Sequence, residues 1–206
     1  MRKTPQDFKR DDIKQLFTKI LKQEKVQLSP LRIEIEESFE DSQGSRVSLS
    51  IIHCSNGNTT EQKFIEPTAV GFVDGIFRAC FKEFSKEHKS LKNIRLVDFQ
   101  VRPNFNKAKS SLRADACTEV SLKLEVFDHG IAEFSDNSGS ILGSSFSATL
   151  KAFEFYINCD KAFQKMKLTN IDAAKRNRGD ISEKCRYYMS KLTEVNNYYY
   201  DEESKN

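Results

Sequence analysis

The segment VGFVDGIFRACFKEF, residues 70–84, decides the fold, because a second segment repeats its helical pattern 69 residues later. That second segment is SGSILGSSFSATLKAFEF, residues 138–155. Four residues recur at this offset, since Phe77, Ala79, Lys82 and Phe84 match Phe146, Ala148, Lys151 and Phe153. Apolar residues of the first segment fall on one stripe at helical spacing, which predicts an amphipathic helix. Two such helices at a fixed offset indicate an internal repeat.

Strand patterns before both helices extend the repeat. At an offset of 66, the alternating apolar residues of 31–39 match those of 97–105. At an offset of 73, RVSLSII (46–52) matches EVSLKLE (119–125). A weaker strand follows each time, at 60–66 and 130–135. Alternation of this kind is typical of half-buried strands, and one such unit cannot bury its apolar face alone. The sequence therefore predicts an α+β protein of two βββα units related by a pseudo-twofold axis.

The chain outside the repeat is expected to be largely helical. Thr4 and Pro5 suit the cap and first position of a helix that continues to about residue 25 with an amphipathic pattern. The tail from Asp180 has a similar stripe, after a basic, exposed connector at 172–180, and its last residues, 196–206, are polar enough to fray. We divide the chain into an N-terminal helix (1–29), a repeat body (30–160, with repeats at 30–88 and 92–158) and a linker with a polar helical tail (161–206).

Composition excludes several classes of function. The formal net charge is only +3, from 33 basic and 30 acidic residues, and no dense basic run favours a nucleic-acid partner. No stretch approaches the roughly 18 apolar residues that span a membrane, and no apolar segment follows the first basic residues as in a signal peptide. We therefore expect a cytoplasmic protein with no membrane contact. Five cysteines at wide spacings predict reduced, mostly buried thiols rather than disulfides or a zinc site; they are Cys54, Cys80, Cys117, Cys159 and Cys185.

No set of residues supports a reaction or a cofactor. The three histidines, His53, His88 and His129, lack metal-ligand spacing, and the glycines form no phosphate-binding motif. SDNSGS (135–140) offers backbone N–H groups to an anion at a helix start, but a capping loop is the simpler interpretation. Asp74 in the first turn of its helix suits either a cap or the partner of a ligand's ammonium. The sequence therefore predicts no enzyme.

The repeat resembles the allosteric, dimer-forming C-terminal domain of 2-isopropylmalate synthase and (R)-citramalate synthase. LVDFQVR (96–102), ADACTEVSLKLE (114–125) and SILGSSFSATLKAFEFYIN (140–158) resemble its second unit, and AVGFVDG (69–75) resembles the first helix start. The resemblance covers about residues 30–160. It implies a homodimer that binds leucine or isoleucine near the dimer interface and transmits inhibition to a catalytic barrel. No such barrel or metal site occurs in this sequence, so enzymatic activity is not implied.

The resemblance also implies where an effector is held. The implied residues are Gly71, Phe72, Val73 and Asp74, Asp115 and Ala116, and Ser140, Ile141 and Ser144. Gly71, Val73 and Asp74 match the family pattern. Phe72 replaces a proline and adds bulk, whereas Ser140 replaces an aspartate and removes a partner for an ammonium.

Three hypotheses follow. The first is a regulatory subunit that forms a homodimer, senses a branched-chain amino acid or 2-oxo acid, and acts on a synthase supplied by another chain. The second is a protein-interaction scaffold that kept the dimer and lost the ligand. The third, an enzyme with unrecognised chemistry, has the least support because no converging site is found. A ligand that binds only the native state raises its stability, so a thermal-shift panel separates the first two.

Overall fold

The computed structural model describes residues 5–37, 44–104 and 117–198 and confirms two βββα units with terminal helices. The elements in chain order are α1 (Pro5–Leu21), β1 (Gln27–Glu37), β2 (Ser45–Ser55), β3 (Asn58–Ala69), α2 (Phe72–Phe84), β4 (Ile94–Asn104), β5 (Cys117–Val126), β6 (Gly130–Ser138), α3 (Ile141–Lys175) and α4 (Gly179–Leu192). Strands β1-β2-β3 form one antiparallel sheet and β4-β5-β6 the other. Within the described residues, no helix combines the length and apolar character that crossing a membrane requires.

The two sheets carry a β-bulge at the same position of the repeat. The register between β1 and β2 shifts at Leu31, and the register between β4 and β5 shifts at Val97. These two residues are partners at the offset of 66. Bulges are retained features that set the twist and bend of a strand, so a shared bulge supports a common origin of the two units.

The inner faces of the two central strands are built alike. Their buried residues, none more than 1% exposed, are Val47, Leu49 and Ile51 in β2 and Val120, Leu122 and Leu124 in β5. Phe64 of β3 and Phe134 of β6 lie opposite Leu49 and Leu122. Alternation along each strand therefore directs equivalent apolar side chains onto the helices.

A charged pair joins the third strand of each sheet to its helix. Glu66 of β3 lies 2.5 Å from the Nζ atom of Lys82, and Asp136 of β6 lies 2.6 Å from that of Lys151. The two lysines are partners at the offset of 69. The two acids are not among the residues that match at the fixed offsets, so their equivalence is independent support for the repeat.

α3 extends well beyond the second repeat. It continues past residue 158, where we placed the end of that repeat, to Lys175, so residues 161–175 are helical rather than a linker. The predicted N-terminal helix is confirmed, because Phe17 of α1 is buried and meets Phe155 of α3 edge to face. α4 packs on α3 and buries Cys185 and Leu192, as its apolar stripe predicted. The long α3 is thus the surface on which both terminal helices pack.

Fraying was predicted for 196–206; residues 196–198 are packed instead, and 199–206 lie outside the described residues. Asn196 is fully buried, and its amide donates to the carbonyl of Ser90 at 3.1 Å. The Tyr198 ring stacks on Phe163 with centroids 4.8 Å apart. One buried amide and one buried ring therefore fix a segment that is polar by composition.

The cysteines agree with the expectation of reduced thiols where they are described. Cys54, Cys80, Cys159 and Cys185 are free, and all except Cys54 are buried. Burial raises the pKa of the Cys80 and Cys159 thiols well above the usual range. The side chain of Cys117 lies outside the described part of the chain.

Gly44 permits a close approach between two strands. Its φ is +81°, and a Cβ there would lie 2.1 Å from the carbonyl oxygen of Ala69. We expect Gly44→Ala to lower the free energy of unfolding by about 2–4 kcal/mol, because left-handed strain and a backbone clash add together. Urea denaturation measures the loss. Gly57→Ala is the control, since Gly57 has a φ of +76° but no neighbouring atom within 4 Å. Equal losses in both variants would contradict a role for the Ala69 contact.

Candidate functional site

The start of α2 has no side-chain cap. Gly71 is the N-cap residue, and its carbonyl accepts the N–H of Gly75 at 2.9 Å. Glycine has no side chain to accept from the N–H groups of the first turn, which lie at the positive end of the helix dipole. This helix start is therefore suited to a carboxylate.

Asp74 stands beside these N–H groups. Its Oδ2 atom accepts the N–H of Val70 at 3.3 Å and lies 3.5 Å from Nη1 of Arg78. Val70 is the residue before the N-cap, so this bond leaves the N–H groups of the first turn without a side-chain cap. The side chain of Asp74 is 41% exposed, so the carboxylate also remains accessible to a further partner.

Phe72 joins the two units. Its ring meets the ring of Phe99 in β4 edge to face, with centroids 6.1 Å apart. Val73, the next residue, is half-buried. The first helix start therefore carries an aromatic contact between the two units.

The start of α3 is closed by its own serines. Ser140 accepts the N–H of Gly143 at 3.2 Å, the hydroxyls of Ser138 and Ser144 lie 2.8 Å apart, and Ser144 donates to the carbonyl of Thr118 at 3.2 Å. Residues 135–138 belong to β6. The predicted cap is therefore confirmed at Ser140, whereas residues 135–138 of SDNSGS form the end of a strand rather than a loop.

The structure places seven of the nine predicted site residues in two groups. Residues 71–74 lie at the start of α2, and Ser140, Ile141 and Ser144 lie at the start of α3. Ile141 is 43% exposed. Asp115 and Ala116 lie outside the described residues.

A cluster of ionisable groups, which the sequence treated as isolated residues, joins β2, the end of α2 and α3. Nδ1 of His88 lies 2.8 Å from Oδ2 of Asp160, and both side chains are largely buried. Lys161 donates to Ser55 of β2 at 3.0 Å. Burial lowers the pKa of Lys161, and it also lowers that of the neighbouring His53. In the described ranges, no three histidine, cysteine or acidic side chains are placed to hold a metal ion.

The pKa of His53 gives a pH-dependent prediction. Burial lowers this pKa below the ordinary value of 6.5, and Lys161 lowers it further, against a smaller opposing effect of Glu87. The unfolded chain then binds the proton more readily, so the contribution of His53 to stability is lost as the pH falls through about 6.5. When the pH is lowered from about 7.5 to about 5.5, we expect the free energy of unfolding to fall less for His53→Gln than for the wild type. Urea denaturation at both pH values, with His129→Gln as the control, tests this. Equal losses in wild type and His53→Gln would contradict it.

No known family model and no curated protein sequence matches this chain. The resemblance to the regulatory domain of 2-isopropylmalate synthase therefore stays a prediction from the motifs.

Proposed function

We propose that the chain is a non-catalytic regulatory module that binds leucine or isoleucine at the start of α2. The observation that carries this proposal is the uncapped start at Gly71 beside the accessible carboxylate of Asp74. Backbone N–H groups of the first turn hold the ligand's carboxylate, and Asp74 accepts from its ammonium. The Phe72 and Phe99 rings receive its aliphatic side chain.

The difference between the two helix starts supports an effector site at the start of α2 and none at the start of α3. At the start of α3, the serine hydroxyls are already hydrogen-bonded. Ser138 contacts the hydroxyl of Ser144 and accepts the N–H of Ser140, and Ser140 accepts the N–H of Gly143. Ser144 donates to the carbonyl of Thr118. A ligand there would have to replace these bonds, whereas Gly71 presents no side chain to displace. The first unit is therefore the binding unit in this proposal.

The proposed module is a cytoplasmic homodimer that acts on a synthase supplied by another chain. Three edge strands carry a proline, namely Pro30 in β1, Pro67 in β3 and Pro103 in β4. On the fourth edge, in β6, the carbonyls of Glu133 and Ser135 accept from Arg10 and Lys151. Prolines and covered carbonyls oppose pairing between sheets. The dimer contact is therefore assigned to helices or to sheet faces.

Isothermal titration with leucine tests the proposal. We expect Asp74→Asn to weaken binding about tenfold or more, because it removes a charge-assisted hydrogen bond. Asp136→Asn is the matched control, since that carboxylate pairs with Lys151 in the other unit. Light scattering on the same samples gives the mass of the assembly. The proposal fails if neither leucine nor isoleucine binds the wild type, or if both variants bind alike.

An exposed apolar side chain directly before α2 favours a second function, that of a protein-interaction scaffold that binds no effector. Val70 is 93% exposed and directly precedes Gly71. An apolar side chain so placed suits contact with another protein as well as with a ligand. A dimer that binds neither amino acid but co-purifies with a synthase would favour this second function.

A further inference from the structure

The outer face of the first sheet contains a depression that the sequence analysis did not find. Its volume is about 450 Å³, within the range of small-molecule sites. Ser48 and Ser50 of β2 form its floor, because they alternate with the buried residues of the inner face. Two cations and two carboxylates surround them, namely Arg32, Glu34, Glu61 and Lys63.

The second sheet shows how the equivalent position is filled. Ser50 corresponds to Lys123 at the offset of 73, and Lys123 lies between Asp98 and Glu133 in the strand register. Its Nζ atom lies 2.7 Å from Oδ2 of Asp98. The cross-strand row in the second sheet is thus acid, lysine, acid, and a charged side chain of the protein occupies its centre.

The same row in the first sheet has the opposite charges and no central charge. Arg32, Ser50 and Lys63 lie side by side in the register. Their outer Cα atoms are about 10 Å apart, because neighbouring strands are spaced by about 4.8 Å. A ligand carboxylate above the hydroxyl of Ser50 lies within reach of both cations. It gives the first row a central negative charge between two cations, just as Lys123 gives the second row a central positive charge between two acids.

The ion pairs and hydrogen bonds already present leave the charged groups around Ser50 accessible to a ligand. Arg32 contacts Glu34 at 2.5 Å through one nitrogen, and a guanidinium has further N–H donors. Neither Lys63 nor Glu61 has an ion pair or a side-chain hydrogen bond with the residues that the structure describes. Glu61 lies on the same face of β3 as Lys63, about 7 Å along the strand. The row therefore combines an anion position with a nearby carboxylate.

We propose that this depression binds a small zwitterion, with an α-amino acid as the smallest member of the class. The ligand's carboxylate lies above Ser50 between Arg32 and Lys63, and its ammonium lies against Glu61. Two cations and two carboxylates line the depression, so a ligand without net charge matches its balance. This site is separate from the start of α2 and does not rest on the proposed effector function.

Titration with matched probes tests the ligand class. Leucine carries both charges, 4-methyl-2-oxopentanoate carries only the carboxylate, and 3-methylbutylamine carries only the ammonium. Glycine adds a zwitterion without a side chain. In an Asp74→Asn background, we expect leucine and glycine to bind about tenfold or more tightly than either singly charged probe. A singly charged probe that binds as tightly as leucine overturns the zwitterion assignment.

Variants in the same background locate the binding. Ser50→Glu reproduces the second sheet with the charges reversed, because its carboxylate lies between Arg32 and Lys63, and it is expected to abolish binding. Lys63→Gln removes one cation without filling the depression and is expected to weaken binding about tenfold. Lys123→Ser is the matched control and is expected to leave binding unchanged. Binding that Ser50→Glu and Lys63→Gln do not alter overturns the site.

The outcomes separate this site from the proposed function. Leucine binding that Asp74→Asn abolishes completely, with no glycine binding left, overturns the sheet site and supports the α2 site. Leucine or glycine binding that only Ser50→Glu removes supports the sheet site and overturns the α2 site.

Discussion

Phe153→Ala is expected to lower the free energy of unfolding by about 3–5 kcal/mol. Phe153 of α3 is 4% exposed, and its ring lies 5.3 Å from that of Phe77 and 5.7 Å from that of Phe84. Both partners belong to α2, so the side chain fills the contact between the helices of the two units. Its removal loses the transfer free energy of a large ring and leaves a cavity that two rigid helices do not close. Urea denaturation followed by circular dichroism measures the change.

Phe127→Ala is the control for this substitution. Phe127 is 71% exposed in the turn between β5 and β6, so its truncation should change stability by no more than about 0.5 kcal/mol. Phe84→Ala adds a coupling test, because Phe84 is the repeat partner of Phe153 and contacts it directly. The losses of the two single variants should not add in the double variant. Additive losses, or a loss for Phe153→Ala similar to that for Phe127→Ala, would contradict the interface.

Asn158→Ala is expected to cost about 2–5 kcal/mol of unfolding free energy. Oδ1 of Asn158 accepts the N–H of Val26 at 2.8 Å, and Nδ2 donates to the carbonyl of Val26 at 2.9 Å. Nδ2 also donates to the carbonyl of Glu154 at 2.8 Å. Asn158 is fully buried, so alanine leaves both backbone groups of Val26 without a partner in the interior. Urea denaturation again gives the loss.

Asn137→Ala is the matched control for Asn158→Ala. Asn137 is an exposed residue of β6, and its truncation is expected to be nearly neutral. The difference between the two variants therefore isolates the bonds to Val26, which attach the segment between α1 and β1 to α3. Similar losses in the two variants would contradict this role.

The units of the fold were predictable from sequence because their signals are local. Alternation in strands and helical spacing repeat at fixed offsets, and the change of offset between strands falls at loops. The full length of α3 was missed, although its apolar residues continue beyond residue 158 with Cys159, Ala162 and Phe163. The boundary followed the resemblance rather than the periodicity. The end of a repeat unit is set by the last residue that matches the other copy, whereas the end of a helix is set by the last residue of its apolar stripe.

The candidate sites were only partly predictable. Asp74 can be singled out from sequence because its contact with Val70 lies within one helical turn. The pair of His88 and Asp160 joins residues 72 positions apart, and no local pattern connects them. The row through Ser50 depends on a strand register that the bulge at Leu31 shifts, and a slip of one residue would turn the row to the other face. Such sites require the three-dimensional register as well as the residue types.

The most direct test of the central claim is a two-dimensional ¹H–¹⁵N spectrum of the protein titrated with leucine. The account predicts that the amide signals of Gly71, Phe72, Val73 and Asp74 shift progressively, because their N–H groups bind the ligand's carboxylate. It predicts little change for Ser140 and Ser144, whose helix start is already capped. A spectrum that stays unchanged at millimolar leucine, or shifts confined to the start of α3, would contradict the claim.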